Sequence, residues 1–225
     1  MRNIGSKKYT YNESFFKNIN TEEKAYWIGF ICADGTIICN RKCHKYSVRI
    51  ELQSRDDKHL SKFVNSICGN RILRYESKKS ALLVISSKIM VFDLVNKGYC
   101  SPKTVRNVFP PPYIRNNLIR HYIRGYFDGD GSWYLSKAPK RKLKRDLRFS
   151  LVSANKNFCV ALQKWLIRYC KVSKSKIRKN GNIFHLHYHG DRQLDRIYHK
   201  LYDGKTICLD RKYDIVKNYL GNCRQ

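Results

Sequence analysis

The chain has 225 residues, 46 of them Lys or Arg against 17 Asp or Glu, giving a formal net charge of +29. That length allows one large domain or two small ones, and a surplus spread along the whole chain points to a polyanionic partner, nucleic acid first. A membrane-surface role fits poorly, because the aromatics follow core patterns and no long basic amphipathic helix stands out. No apolar run approaches the ~20 residues that a membrane span needs. The first 20 residues are polar and basic, contain Glu13, and read as neither secretory signal nor transit peptide. The nine cysteines are odd in number and include no Cys-x-x-Cys pair. They read as reduced thiols, so the expected location is cytoplasmic or nucleoid-associated (an organelle matrix if organelle-encoded), not secreted. Cys39, Cys43 and His44 have no second pair at zinc spacing and read as part of a basic loop.

In chain order, residues 1–19 read as a basic extension. Asn20 can cap a helix with Glu23 as its capping-box partner, and that helix runs to Gly35. Thr36–Cys39 and Ser47–Gln53 read as a hairpin, with Val48, Ile50 and Leu52 alternating against Arg49, Glu51 and Gln53. Leu60, Phe63, Val64 and Ile67 follow at helical spacing, with Gly69 as the stop. Arg71–Tyr75 and Ala81–Ser86 form a second strand pair, and a helix from Lys88 to about Lys97 ends at Gly98. Residues 99–116, with Pro110, Pro111 and Pro112, read as a stiffened linker.

The order then repeats. A helix begins near Asn117, followed by strands at Ser132–Ser136 and Leu147–Val152. Phe158, Leu162, Trp165, Leu166 and Tyr169 mark a helix. Lys176–Lys179 and Ile183–His189 are strands, and Leu194, Ile197, Tyr198 and Leu201 line a last helix. The expected architecture is α+β: two αββαββα units, residues 20–98 and 117–225, each with a four-stranded antiparallel sheet. Helices on one sheet face leave the other open. Leu147, Phe149 and Leu151 should face the helices, as should Phe184, Leu186 and Tyr188. Arg148, Ser150, Val152, His185, His187 and His189 then point outward, as do Arg49, Glu51 and Gln53. A polar, basic sheet face suits a DNA groove.

Two stretches carry one short motif: Trp27-Ile28-Gly29-Phe30-Ile31-Cys32-Ala33-Asp34-Gly35 and Ile123-Arg124-Gly125-Tyr126-Phe127-Asp128-Gly129-Asp130-Gly131. Each is a mostly apolar run with Gly at its third place, ending in a small residue and then Asp-Gly. Asp34 and Asp130 lie 96 residues apart, about one repeat. An acid ending an apolar helix is costly to bury without a partner or a metal. Two such acids suggest a pseudo-symmetric site for two-sided chemistry.

With this motif pair the chain resembles the LAGLIDADG homing endonucleases in their single-chain, two-motif form, from about Asn20 onward. The first copy departs from the family pattern at Cys32, where an acid is frequent, and keeps Asp34. The resemblance implies that the two units form a DNA-binding saddle and that the motif helices cross at a pseudo-two-fold axis. Gly29 and Gly125 would let their backbones approach there. Asp34 and Asp130 would emerge at the saddle floor as the catalytic acids and metal ligands. Main-chain carbonyls near Ala33 and Gly129 would help to hold Mg²⁺ or another divalent cation. Asp128 reads equally as an assisting acid or as an ordinary helix-end carboxylate. Asp56 and Asn155 match the family's polar positions after the second strands, and Lys103 and Lys212 its late basic residues, which would stabilise charge on the phosphate.

Hairpin loops supply further DNA-contact candidates: Arg41, Lys42 and Lys45 in the first unit, and Lys137, Lys140, Arg141, Lys142, Lys144 and Arg145 in the second. On and beside the strands, Arg49, Gln53, Arg148, Lys176, Arg178, His185, His187 and His189 would read bases or hold phosphates. The three histidines could alternatively hold a metal, though no fourth ligand is evident. The implied function is metal-dependent, site-specific cleavage of double-stranded DNA at a long pseudo-palindromic target, by a monomer that promotes mobility of its own intron or gene. The Met start and the absence of evident splicing segments favour a freestanding or intron-encoded form over an intein. Alternatives on the same fold are an RNA maturase assisting its host intron and a non-cutting DNA-binding regulator; a ribosome-associated basic protein is a third.

Overall fold

The structure is a computed structural model and describes residues 10–70, 74–77, 79–99, 108–136 and 146–222. The elements are α1 (Glu22–Asp34), β1 (Gly35–Asn40), β2 (Lys45–Gln53), α2 (Asp57–Ser66), β3 (Arg74–Ser77), β4 (Ser80–Ile85) and α3 (Lys88–Asn96). They continue as α4 (Ile119–Asp130), β5 (Gly131–Leu135), β6 (Leu147–Ser153), α5 (Lys156–Cys170), β7 (Arg178–Asn180), β8 (Ile183–His189), α6 (Asp191–Tyr202) and α7 (Asp210–Asn222). The order αββαββα thus occurs twice, and α7 follows it. Among the described residues no helix is long and apolar enough to cross a membrane.

The chain separates into two compact units, one of residues 1–18 with 35–100 and the other of 19–34 with 101–225. The motif helix α1 therefore packs with the second half of the sequence. It is buried on all sides from Ala25 to Ala33, as expected of a central helix rather than an amphipathic surface one.

The first unit is an antiparallel sheet of order β1-β2-β4-β3. Val48, Ile50, Ala81, Leu83 and Ile85 are buried on one face, as are Leu60, Phe63 and Val64 of α2 and Met90, Val91 and Leu94 of α3. Arg49, Glu51 and Gln53 are exposed on the other face. The segment before α1 belongs to this core: Phe15 and Phe16 are buried against Phe63, with Phe15 and Phe16 edge to face at 4.9 Å. Ser87 caps α3, accepting from the Met90 N–H at 3.1 Å and donating to Glu13 at 2.6 Å.

The second sheet has the order β5-β6-β8-β7. Its inward side chains, Trp133, Leu147, Phe149, Leu151, Leu186 and Tyr188, are buried as the alternation requires. Phe127 of α4 stacks on Phe149 at 4.5 Å and 9°, with Trp133 edge-on to both. Leu162 and Leu166 of α5 and Leu194, Ile197 and Leu201 of α6 complete this core. On the outward face Arg148 lies opposite His189, Ser150 opposite His187 and Val152 opposite His185.

Several sequence expectations shift. The cap of α1 is Thr21, whose hydroxyl accepts from the Lys24 N–H at 3.3 Å, whereas Asn20 binds the Lys24 ammonium. Glu22 carries the structural contacts described below. Cys68 (φ 50°), and not Gly69, takes the left-handed position after α2. Trp165 is half-buried and Tyr169 is 42% exposed, so helical spacing over-reads the core stripe of α5. Strand β7 starts at Arg178, leaving Lys176 in the preceding loop. Helix α7 was not anticipated.

Candidate functional site

Helices α1 and α4 touch backbone to backbone. A Cβ on Gly29 would sit 2.1 Å from the Tyr122 carbonyl oxygen, and one on Gly125 would sit 1.9 Å from that of Tyr26. The two contacts are exchanged copies of one another, since Gly29 matches Gly125 and Tyr26 matches Tyr122 at the same 96-residue offset. Only glycine permits this approach. The helices stay in contact to their C-terminal ends, where a Cβ on Gly129 would lie 2.4 Å from the Ala33 methyl and 3.4 Å from the Asp34 carboxyl.

Asp34 and Asp130, the last residues of α1 and α4, are both half-buried. Lys212, on α7, is 6% exposed, and its ammonium donates to the carbonyls of Phe127, Asp128 and Gly129 at 3.2, 2.5 and 2.8 Å. Three acceptors use all three N–H groups of a charged lysine, and the cation also offsets the negative end of the α4 dipole. Burial lowers its pKa, while Asp128, Asp34 and Asp130 act in the opposite direction. Lys212 thus feels both motif acids. The Gly129 carbonyl, expected near a metal, is engaged by Lys212. Tyr126 lies close to Asp130, and its pKa is raised by burial first and by that carboxylate second.

Asp128 is buried and held by hydrogen bonds. It is 1% exposed and accepts from the Tyr26 hydroxyl at 2.7 Å, the Tyr202 hydroxyl at 3.1 Å and the Leu209 N–H at 2.7 Å. Burial raises its pKa against the pull of Lys212. Its role is to tie α1, α4, α6 and the start of α7 together.

The second motif carries Arg124 where the first has Ile28. Arg124 is fully buried and uses its whole fork: Nε to the Ile207 carbonyl at 2.9 Å, Nη1 to the Leu201 carbonyl at 2.7 Å and Nη2 to Glu22 at 2.6 Å. Its guanidinium lies 5.4 Å from the centre of the Tyr26 ring. Glu22 also accepts from the Thr206 N–H at 2.8 Å. This staple fixes the N-terminal end of α1 to α4 and to the α6–α7 connection. Sequence reasoning missed it; the available signal was an arginine inside an apolar helical run, which requires a buried acceptor.

The remaining sequence candidates separate by position. Lys103, Lys137, Lys140, Arg141, Lys142, Lys144 and Arg145 lie outside the described residues. Arg41 and Lys42 occupy the exposed β1–β2 turn and Lys45 the exposed start of β2, with Arg41 resting 5.6 Å from the Phe92 ring centre. Arg49, Gln53 and Arg178 are exposed, as is Lys176 in its loop; Arg148, His185 and His187 are half-buried on the outward face of the second sheet, and His189 is exposed. Two further candidates sit at helix starts. Asp56 is 7% exposed and precedes α2. Asn155 is the cap of α5, its side chain accepting from the Phe158 N–H at 3.2 Å. A residue after a strand and before a helix has unsatisfied N–H groups beside it, and these claim the side chain. Among the described residues no group of three or more His, Cys, Asp or Glu is arranged to hold a metal, so the metal alternative for the three histidines has no support.

Comparison with known proteins agrees with this geometry. Residues 117–202 match the family model of the LAGLIDADG-like domain. No curated protein matches the chain. Among solved structures, the I-LtrWI LAGLIDADG homing endonuclease bound to target DNA has a TM-score of 0.62 at 12% identity, over 95% of this chain and 92% of that one. The LAGLIDADG meganuclease I-AabMI bound to uncleaved DNA gives 0.61 at 12%, over 89% and 91%. I-SmaMI bound to cleaved DNA gives 0.59 at 15%, over 92% and 89%. Residues 117–202 thus match the LAGLIDADG-like domain, and the chain as a whole shares the fold of these solved structures.

Proposed function

We propose that the protein is a site-specific endonuclease that cuts double-stranded DNA, working as a monomer in which Asp34 and Asp130 serve one strand each. One observation carries the reading: motif acids from distant parts of the chain end two helices in backbone contact. The basic outward face of each sheet would contact the duplex, with Arg49, Gln53, Arg148 and Arg178 among the reading residues.

The donor set suits a hard divalent cation, Mg²⁺ first. Both acids are half-buried. Magnesium is commonly held by one or two carboxylates, with water and substrate phosphate oxygens filling the other positions. When bound, such an ion would activate water and stabilise charge at the scissile phosphate. The chain's own part is to hold Asp34 and Asp130 at the paired helix ends, with Lys212 keeping the last turn of α4 in place. The Lys212 charge beside both acids also offsets their mutual repulsion.

Asp34→Asn and Asp130→Asn should each abolish double-strand cleavage, by at least a hundredfold in rate, while leaving duplex affinity within about threefold. Selection of cleaved sites from a randomised duplex library with Mg²⁺ supplies the substrate for this assay. Cleavage undiminished in either variant would refute the two-acid mechanism.

A further inference from the structure

Beside the outward face of the second sheet lies a concavity of about 630 Å³ lined by Arg148, Lys174, Lys176, Arg178, His187 and His189, with no carboxylate in its wall. Two residues of this wall each carry a buried polar atom without a hydrogen-bond partner among the described residues: Arg148 at Nε and His187 at Nδ1. A buried donor left unpaired in the free protein costs about 1–3 kcal/mol, and such a group often marks a place that a ligand completes. Four cationic side chains and an unpaired donor together describe a receptor for an oxyanion.

His187 is the adjustable member. Ser150 stands opposite it on β6, and the His185 ring stacks beside it at 5.6 Å and 19°. The charged and titratable groups around it are His185 and His189 on β8, Arg148 on β6, Arg178 on β7, Lys174 and Lys176 in the loop before β7, and the hydroxyl of Tyr134. Asp146 lies 3.8 Å from Nη2 of Arg148. Burial, then His185, Arg178 and Arg148, hold the His187 pKa below its ordinary value, so the free protein keeps this ring neutral near pH 7. An oxyanion in the concavity would cancel the surrounding positive charge and give Nδ1 an acceptor.

We propose that Arg148 and His187 form a backbone-phosphate receptor whose occupation protonates His187, so that duplex binding by this unit takes up a proton. The inference rests on the duplex-binding reading above. The proton goes from solvent to the imidazole, and no bond to phosphorus changes. The expected signature is affinity for a mixed-sequence duplex that rises as pH falls from about 7.5 to 6, by up to about tenfold per pH unit for one linked proton. His187→Gln should flatten that slope, whereas His185→Gln should keep it.

The direct test follows the His187 ring Cε1–H signal by NMR, assigned with His187→Gln, as pH is varied without and with inorganic phosphate and then with the duplex. The expected result is a midpoint that moves upward with either ligand. A midpoint unmoved by both ligands, or a slope retained in His187→Gln, overturns the proposal. A duplex that fails to bind at any pH defeats the endonuclease reading instead, and the phosphate arm still decides the receptor.

Discussion

Gly125 shows how one missing methyl decides the centre of the molecule. The position where its Cβ would stand is 1.9 Å from a backbone oxygen, and backbone cannot swing aside as a flexible side chain could. Gly125→Ala should therefore destabilise the protein at or above the upper end of the about 1–3 kcal/mol typical of overpacking. Denaturant unfolding measures this, and an unchanged midpoint would mean that α1 and α4 do not touch there. Gly29→Ala should behave alike, because the two sites are exchanged copies. Asn155 offers a second residue-level check. If it caps α5, Asn155→Ala costs about 1 kcal/mol of stability and leaves duplex affinity intact. A DNA contact would show the reverse pattern.

At the scale of elements, the junction of α1 with α4 depends on pH through Glu22, His121 and Arg124. Burial alone would raise the Glu22 pKa, but the Thr206 N–H and the Arg124 charge lower it overall. Burial first, and then Arg124, push His121 down to about 4. Geometry agrees, since Nδ1 of His121 lies 3.0 Å from Nη1 of Arg124 and a ring nitrogen that accepts that bond carries no proton. The unfolded histidine gains a proton below about pH 6.5 while the folded one stays neutral until about pH 4. Stability is therefore full above pH 6.5 and declines as pH falls towards 4, with Glu22 adding to the loss as its carboxylate protonates. Melting temperature followed from pH 7 to 4 should drop, and His121→Phe should lessen the drop between 6.5 and 5. Equal pH profiles for the two proteins would remove His121 from the account.

For the molecule as a whole, a formal charge of +29 makes duplex affinity an electrostatic quantity. Each phosphate neutralised should contribute about −0.9 to the slope of log affinity against log salt, so a steep decline is expected in titrations at rising salt. A flat line would contradict the basic-face reading.

The repeat, the two sheets, their inward and outward faces and the motif acids were legible in the sequence because they follow from local periodicity. Alternation fixes a strand's faces, and an apolar run with a small-residue stop fixes a motif helix, wherever the chain goes next. The partner of α1, the staple of Arg124 on Glu22, the lock on Asp128 and the seating of Lys212 on the last carbonyls of α4 were decided only by tertiary structure. Each joins groups more than 70 residues apart, and no local pattern records which distant acceptor a buried charge will meet. The sequence by itself set which groups must be satisfied; packing alone determined by whom.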